Sequence, residues 1–181
     1  MIPKKLWKKI ISSSKGPPRV SIIEILASSL GGFLGIALVA LIHQFYFAPK
    51  GLLFLIAPFG ASAVLIYGAP KSPLAQPRNL IGGHILSALS GVIAYKLFAS
   101  FPWAACAMAV SLALFLMHLT RTLHPPGGAT APLFILGDEK LHNLGLLYPL
   151  FPVASGLLPI LLIAIIVNNL FPKRSYPEYW W

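Results

Sequence analysis

Charge placement constrains this chain more than any other feature. Charged residues are so sparse that they cut the 181-residue sequence into six uncharged runs: 25–49, 51–70, 79–95, 97–120, 122–137 and 141–172. The sixth is the longest and the fifth the shortest. A helix that crosses a bilayer needs about 20 apolar residues, with a range of roughly 17–25. The first, third, fourth and sixth runs therefore read as full spans. The third borrows the stem of Lys96, which can snorkel to the interface. The sixth has room for a lead-in loop around positions 143–149. Composition agrees. Hydrophobic residues make up 57% and charged residues 10%, against about 25% charged in a typical soluble domain. A soluble globule and a disordered chain are both excluded. The expected class is all-α: a polytopic transmembrane helical bundle of four full spans plus two broken or half-length helices.

The second and fifth runs each contain a proline followed by small residues: Pro58-Phe59-Gly60-Ala61-Ser62-Ala63 and Pro126-Gly127-Gly128-Ala129-Thr130-Ala131. Proline breaks a helix interior but suits a first turn, so each segment reads as a break followed by a helix start. The fifth run leaves only about 10–12 helical residues, roughly 15–18 Å at 1.5 Å per residue. A single shift that sets Pro58 on Pro126 superposes the two segments, with four of six positions identical and Ser62 over Thr130. Such repeats with broken helices in corresponding places are a mark of secondary transporters.

Net charge is +10, and six of the 14 cations lie between Lys4 and Arg19. In front of a long apolar run, this basic tail reads as an orientation signal rather than a nucleic-acid contact. If all six segments cross and the tail is cytoplasmic, 11 cations lie inside against Lys50, Lys96 and Lys140 outside; if the short segments dip in and return, the split is nine to five. Cytoplasmic loops favour Lys and Arg, so six crossings are expected, and three crossings per unit would invert one half relative to the other. The divisions are a basic cytoplasmic tail (1–21), a transmembrane domain (22–171) and an aromatic-rich tail (172–181) that reads as an interface anchor. The expected location is a prokaryotic cytoplasmic (inner) membrane with both termini in the cytoplasm.

Two motifs stand beside the broken segments. One is Arg121-Thr122-Leu123-His124-Pro125-Pro126-Gly127-Gly128-Ala129-Thr130. The other runs from Gly68 through Lys71, Gln76-Pro77-Arg78-Asn79 and Gly82-Gly83-His84. With these motifs the chain resembles the HPP family of small integral membrane proteins, named for its His-Pro-Pro motif, from about Leu30 to Asn169. The resemblance implies four transmembrane helices, which four spans plus two half-helices would reconcile. It also implies a link to nitrite transport, known for members from cyanobacteria and chloroplasts.

The residues themselves suggest how an anion could be held. A helix N-terminus presents unpaired N–H groups and a positive dipole end, and glycines admit a ligand close to the backbone. Gly60 and Ser62, and Gly127, Gly128 and Thr130, are the candidates; the competing reading is that small residues there let helices pack closely. Arg78 and Arg121 are the cationic candidates, either attracting anions, bracing the broken helices or snorkelling at run edges. His84 and His124 could relay a proton, or make structural hydrogen bonds, His124 to loop carbonyls. Glu24 is expected to cap the first helix. No metal site, cofactor, nucleophile triad or phosphate loop stands out, so no enzyme is expected. The expected partners are the lipid bilayer, a small inorganic anion and a possible second copy of the chain. The reading from another class is a non-transporting membrane module that assembles with partners or senses a ligand.

Overall fold

The computed structural model describes position 16 and positions 18–181; most of the basic tail lies outside them. Helix α1, Ile22–Ile42, starts where Ser21 accepts a hydrogen bond from the Glu24 N–H at 3.3 Å, a side-chain cap for one of the orphan donors of a first turn. A wider turn, His43–Phe47, and a tighter one, Ala48–Lys50, extend it. A non-helical stretch, 52–56, leads into α2, Ala57–Gly68. Helix α3, Pro77–Phe98, and α4, Pro102–Leu119, form a hairpin, each with proline in its first turn. Next come α5, Pro125–Gly128, and α6, Thr130–Leu136. Ala129 between them keeps right-handed helical angles (φ −75°, ψ −17°), so 125–136 form one interrupted half-helix. After α7, Glu139–His142, the chain turns through Gly145–Leu147 and Pro149–Ala154 into α8, Ser155–Leu170.

The shift that sets Pro58 on Pro126 holds in three dimensions. It carries 57–68 onto 125–136, end for end, and carries Pro77, the start of α3, onto Gly145, the start of the last span. Among the described residues, four helices are long and apolar enough to cross a membrane, Ile22–Lys50, Pro77–Phe98, Pro102–Leu119 and Gly145–Leu170, which are the four runs that the charge pattern selects. Each unit is thus long, half-length, long. Packing follows the same plan: α1 lies against α8 as α4 lies against α3, α1 against α2 as α4 against α6, and α2 against α8 as α6 against α3.

Contacts between the loops give the direction of each segment. At one end Arg174 pairs with Glu24 (2.8 Å), Arg78 reaches the Thr120 carbonyl (2.6 Å) and His124 meets the Leu74 carbonyl (2.8 Å). At the other, Gly51 and Leu52 line a cavity with Gly137, Asp138 and Lys140, and Tyr95 stacks on His142 with ring centroids 4.1 Å apart. Every segment, the two short ones included, therefore runs from one end to the other, and the second unit is inverted relative to the first. The stretch 52–56 makes this possible for α2: up to about 17 Å of extended chain plus about 18 Å of helix exceeds a hydrocarbon core of about 30 Å.

Small residues draw the helices together. Helix α1 buries Ala27, Gly31, Gly35 and Val39 at every fourth position, and α4 buries Ala105, Ala109, Ala113 and Met117 in the same way. The Tyr67 ring fills the notch at Gly31 and Gly35, where any Cβ would collide with it. Bilayers give no hydrophobic drive between helices, so close packing of this kind and buried hydrogen bonds must hold them. Outside, Phe33, Trp103, Phe115 and Leu158 stand exposed, which suits contact with lipid.

The C-terminal tail departs from the expected interface anchor. Tyr176 is buried and donates to the Ala75 carbonyl at 2.8 Å; Tyr179 donates to the Pro73 carbonyl at 3.0 Å. Burial pushes the Tyr176 phenol above its ordinary range, with Tyr67 adding to the shift, so it stays a donor. Trp180 and Trp181, 53% and 81% exposed, make no side-chain hydrogen bond among the described residues. Hydrogen-bond demand explains the difference, because loop carbonyls at 73–75 need donors once they are covered.

Candidate functional site

Helix α3 opens with Pro77, and its second turn places His84 toward the two half-helices. The His-Pro-Pro turn places His124 as the residue before α5. Gly83 and Gly127 let α3 and α5 touch backbone to backbone: a Cβ on Gly127 would lie 2.9 Å from the Gly83 carbonyl carbon, and one on Gly83 would lie 2.9 Å from the Thr122 oxygen. This close approach brings together two histidines that are distant in sequence. Their ring centroids are 5.2 Å apart.

Ser62 lies between them. Its Oγ is 2.7 Å from His84 Nε2 and 2.9 Å from His124 Nε2. The far side of His84, Nδ1, is 2.7 Å from Thr130 Oγ1, and the far side of His124, Nδ1, is 2.8 Å from the Leu74 carbonyl. All four side chains have zero exposure. With both rings neutral, one proton arrangement satisfies every contact. The Leu74 oxygen can only accept, so His124 donates through Nδ1 and accepts through Nε2. Ser62 donates to that Nε2 and accepts from His84 Nε2–H. His84 Nδ1 then accepts from the Thr130 hydroxyl. The Thr130 carbonyl, in turn, accepts from Tyr148 at 3.0 Å. A buried network is stabilising only when each member is satisfied, and this one is. One buried hydroxyl beside it is not: Ser87 Oγ, one turn along α3 from His84, has no partner among the described residues.

The geometry has a symmetric part and an asymmetric part. Ser62 and Thr130 are equivalent under the repeat shift, and they hold the two nitrogens of a single imidazole. The histidines have no such partners: the shift takes His84 to Pro152 and Ile56 to His124.

The structure thus gathers Ser62, His84, His124, Gly127 and Thr130 in one place and leaves four candidates outside it. Gly60 is exposed on the outer face of α2, and Gly128 is half-buried; a Cβ on either would meet nothing within 4 Å, so neither serves packing within the chain. Arg78 braces the C-terminus of α4 through the Thr120 carbonyl, a favourable place for a cation. Arg121 is exposed and occupies the left-handed region (φ 59°). Thr122 N–H to Met117 and Arg121 N–H to His118 complete a Schellman turn around it.

The anticipated role of backbone N–H groups changes. The hydroxyls lie in the second turn of each half-helix, not at its tip. Pro58, Pro125 and Pro126 have no N–H to offer, and the Phe59 and Gly127 N–H groups bond back to the Ile56 and His124 carbonyls. Side chains, not helix tips, carry the polar character of this site. The sequence alone did not point to Leu74, Tyr148 or Ser87; only the i, i+3 spacing of Ser87 from His84 could have signalled it.

Fold and site define a class: a polytopic helical membrane protein of two inverted three-helix units, with a buried histidine and hydroxyl cluster where the half-helices meet. Residues 17–177 match the family described as HPP, transmembrane region, and the chain belongs to that family. It is 49% identical over 180 residues to a transmembrane protein of Dictyostelium discoideum, covering 98% of this chain and 57% of the relative. A second transmembrane protein of that organism is 50% identical over 181 residues, covering 97% of this chain and 63% of the relative. The chain therefore spans about three fifths of the length of these curated relatives. No solved structure matches it.

Proposed function

We propose that the chain passes a small inorganic anion across the membrane, nitrite by its HPP resemblance, and that the Ser62–His84–His124–Thr130 cluster is the closed centre of the path. The observation that carries this reading is the placement of two repeat-equivalent hydroxyls on one buried imidazole, between two inverted units. Inverted repeats that meet at broken helices are the architecture of alternating access. Nitrite is an acceptor of hydrogen bonds and needs donors. If the units rock apart, the Ser62 hydroxyl loses its acceptor His124 Nε2 and the Thr130 hydroxyl loses its acceptor His84 Nδ1, and both hydroxyls are free to donate to the nitrite oxygens. The end that bears Lys71, Arg78, Arg121, Lys173 and Arg174 faces the cytoplasm in this reading, by its excess of cations.

The test is nitrite uptake into proteoliposomes of purified protein, normalised to folded protein. Losing one hydrogen bond to a charged ligand costs about 1.5–3 kcal/mol, or roughly ten-fold to over a hundred-fold in affinity. Ser62→Ala and Thr130→Val should each weaken uptake affinity by that factor. Unchanged affinity in both contradicts the reading. A second reading, a membrane module that does not transport, is favoured by the completeness of the buried network, which needs no ligand to be satisfied. It predicts no uptake by the wild-type protein.

A further inference from the structure

The outer face of α2 is recessed and made of small residues. Gly60, Ala61, Val64 and Gly68 are exposed along it. Two grooves flank this helix and share Val64 and Gly68 as a common wall. The first, about 410 Å³, lies toward α1 and is lined by Gly32, Phe33 and Ile36; the second, about 440 Å³, lies toward α5 and is lined by Ala61, Leu65, Pro125 and Pro126. Cβ atoms built on Gly32, Gly60 and Gly68 would meet nothing within 4 Å. Gly31 and Gly35, by contrast, are needed for the Tyr67 ring. The smallness of the first three therefore serves nothing inside this chain.

At the Glu24 end the recess meets a polar pocket of about 320 Å³, lined by Ala69, Lys71, Ser72 and Lys173 with the Arg174–Glu24 pair. Ala69 belongs to this pocket and to the α5-side groove, and Ser28 of the α1-side groove is one helical turn from Glu24. The Arg174 guanidinium is fully engaged with Glu24, Ser28, Asn168 and the Tyr67 carbonyl. Lys71 and Lys173 are exposed and have no hydrogen-bond or ion-pair partner among the described residues.

We propose that this recess binds one anionic phospholipid, its headgroup phosphate at Lys71 and Lys173 and its two acyl chains in the grooves on either side of α2. Basic pockets between membrane helices at the end rich in cations are a recurrent form of headgroup recognition. Two apolar grooves below one cationic pocket match the shape of a diacyl lipid and not that of a free anion. A second copy of the chain fits less well, because a two-fold contact is self-complementary and would bring Lys71 and Lys173 of both copies to the rim of one interface.

The purified full chain, in detergent, is given phosphatidylglycerol or phosphatidylcholine with the same acyl chains, or inorganic phosphate alone. Unfolding midpoints and bound mass by native mass spectrometry are recorded. Phosphatidylglycerol at about a hundred times its Kd should raise the midpoint by about 5–10 °C and remain bound, and phosphatidylcholine should do neither. Lys71→Gln/Lys173→Gln should abolish that rise and leave the lipid-free midpoint in place. Gly68→Leu, or Gly32→Leu where the first does not fold, should block lipid retention. Equal effects of the two lipids, or a phosphate effect as large as that of phosphatidylglycerol, would overturn the proposal. So would a lipid-free dimer that Gly68→Leu dissociates, which would give the recess to a second copy.

Discussion

The segments 57–68 and 125–136 are two half-helices of the same length, related by one shift along the chain, and they are made in different ways. The first follows a non-helical stretch and begins at Ile56, with extended backbone (φ −114°, ψ 145°). The second follows a Schellman turn and begins at His124 (φ −141°, ψ 98°). At the first, the residue before the helix is apolar and buried; at the second, the equivalent residue is a histidine whose two nitrogens tie the half-helix to Leu74 and Ser62. The C-termini differ as well. The Ile66 and Tyr67 carbonyls of α2 are met by Asn168 at 3.3 Å and Arg174 at 3.0 Å, whereas α6 ends at Gly137 with no such clamp among the described residues. The inverted repeat thus supplies a symmetric scaffold, and the chemistry is laid on it asymmetrically, with histidines and clamps binding unit one to unit two at the Glu24 end.

The largest effect should come from Arg174. It is 2% exposed as a side chain and pairs with Glu24, which is 31% exposed. Removing one partner of a buried pair costs about 3–5 kcal/mol; the partial exposure of Glu24 places Arg174→Gln at the low end, about 3 kcal/mol, read as a fall in unfolding stability in detergent. An equal loss on removing Arg121, which no clamp uses, would erase the distinction between the two units.

The paired hydroxyls sharpen the comparison. Ser62→Ala leaves two ring nitrogens unpartnered, one on each histidine, whereas Thr130→Val leaves one. Buried hydrogen bonds in membranes are worth less than in the idealised case, so the expected losses are about 2 and about 1 kcal/mol. Equal losses would mean that His124 gains nothing from Ser62. The adjacent glycines of the His-Pro-Pro turn give a contrast of sign. Gly127→Ala forces a Cβ against the Gly83 backbone and should cost about 1–2 kcal/mol. Gly128→Ala meets open space and should gain up to about 1 kcal/mol. Thermal unfolding of both variants decides the matter, and similar losses would show that Gly128 has a packing role after all.

Much of this fold is legible in the sequence because the bilayer demands apolar length and tolerates little charge. The six segments and the four long spans follow from those two demands; the half-length of 125–136 and the repeat shift are read from Pro58, Pro126 and the small residues that follow each. His84, His124, Ser62 and Thr130 are also legible as candidates, each in its own motif. Their convergence is not, since it depends on Gly83 and Gly127 admitting a backbone contact between segments that are distant in sequence, and spacing along the chain does not report distance across a bundle. Arg174 shows the same gap. In sequence it is one of two cations after the last span, indistinguishable from Lys173 as an orientation signal. In the fold it is buried on Glu24, and Lys173 is exposed.

The central claim is that both half-helices run from end to end, so that the two units are inverted. Cysteine labelling tests it most directly. With Cys106 replaced by Ala, single cysteines are placed at Lys50 and Lys71, which flank α2, and at Arg121 and Lys140, which flank the half-helix 125–136. A membrane-impermeant thiol reagent is applied from each side of sealed vesicles. The account predicts that the Lys71 and Arg121 positions label from one side, the cytoplasmic side by the distribution of cations, and that the Lys50 and Lys140 positions label from the other. Labelling of Lys50 and Lys71 from the same side would contradict it.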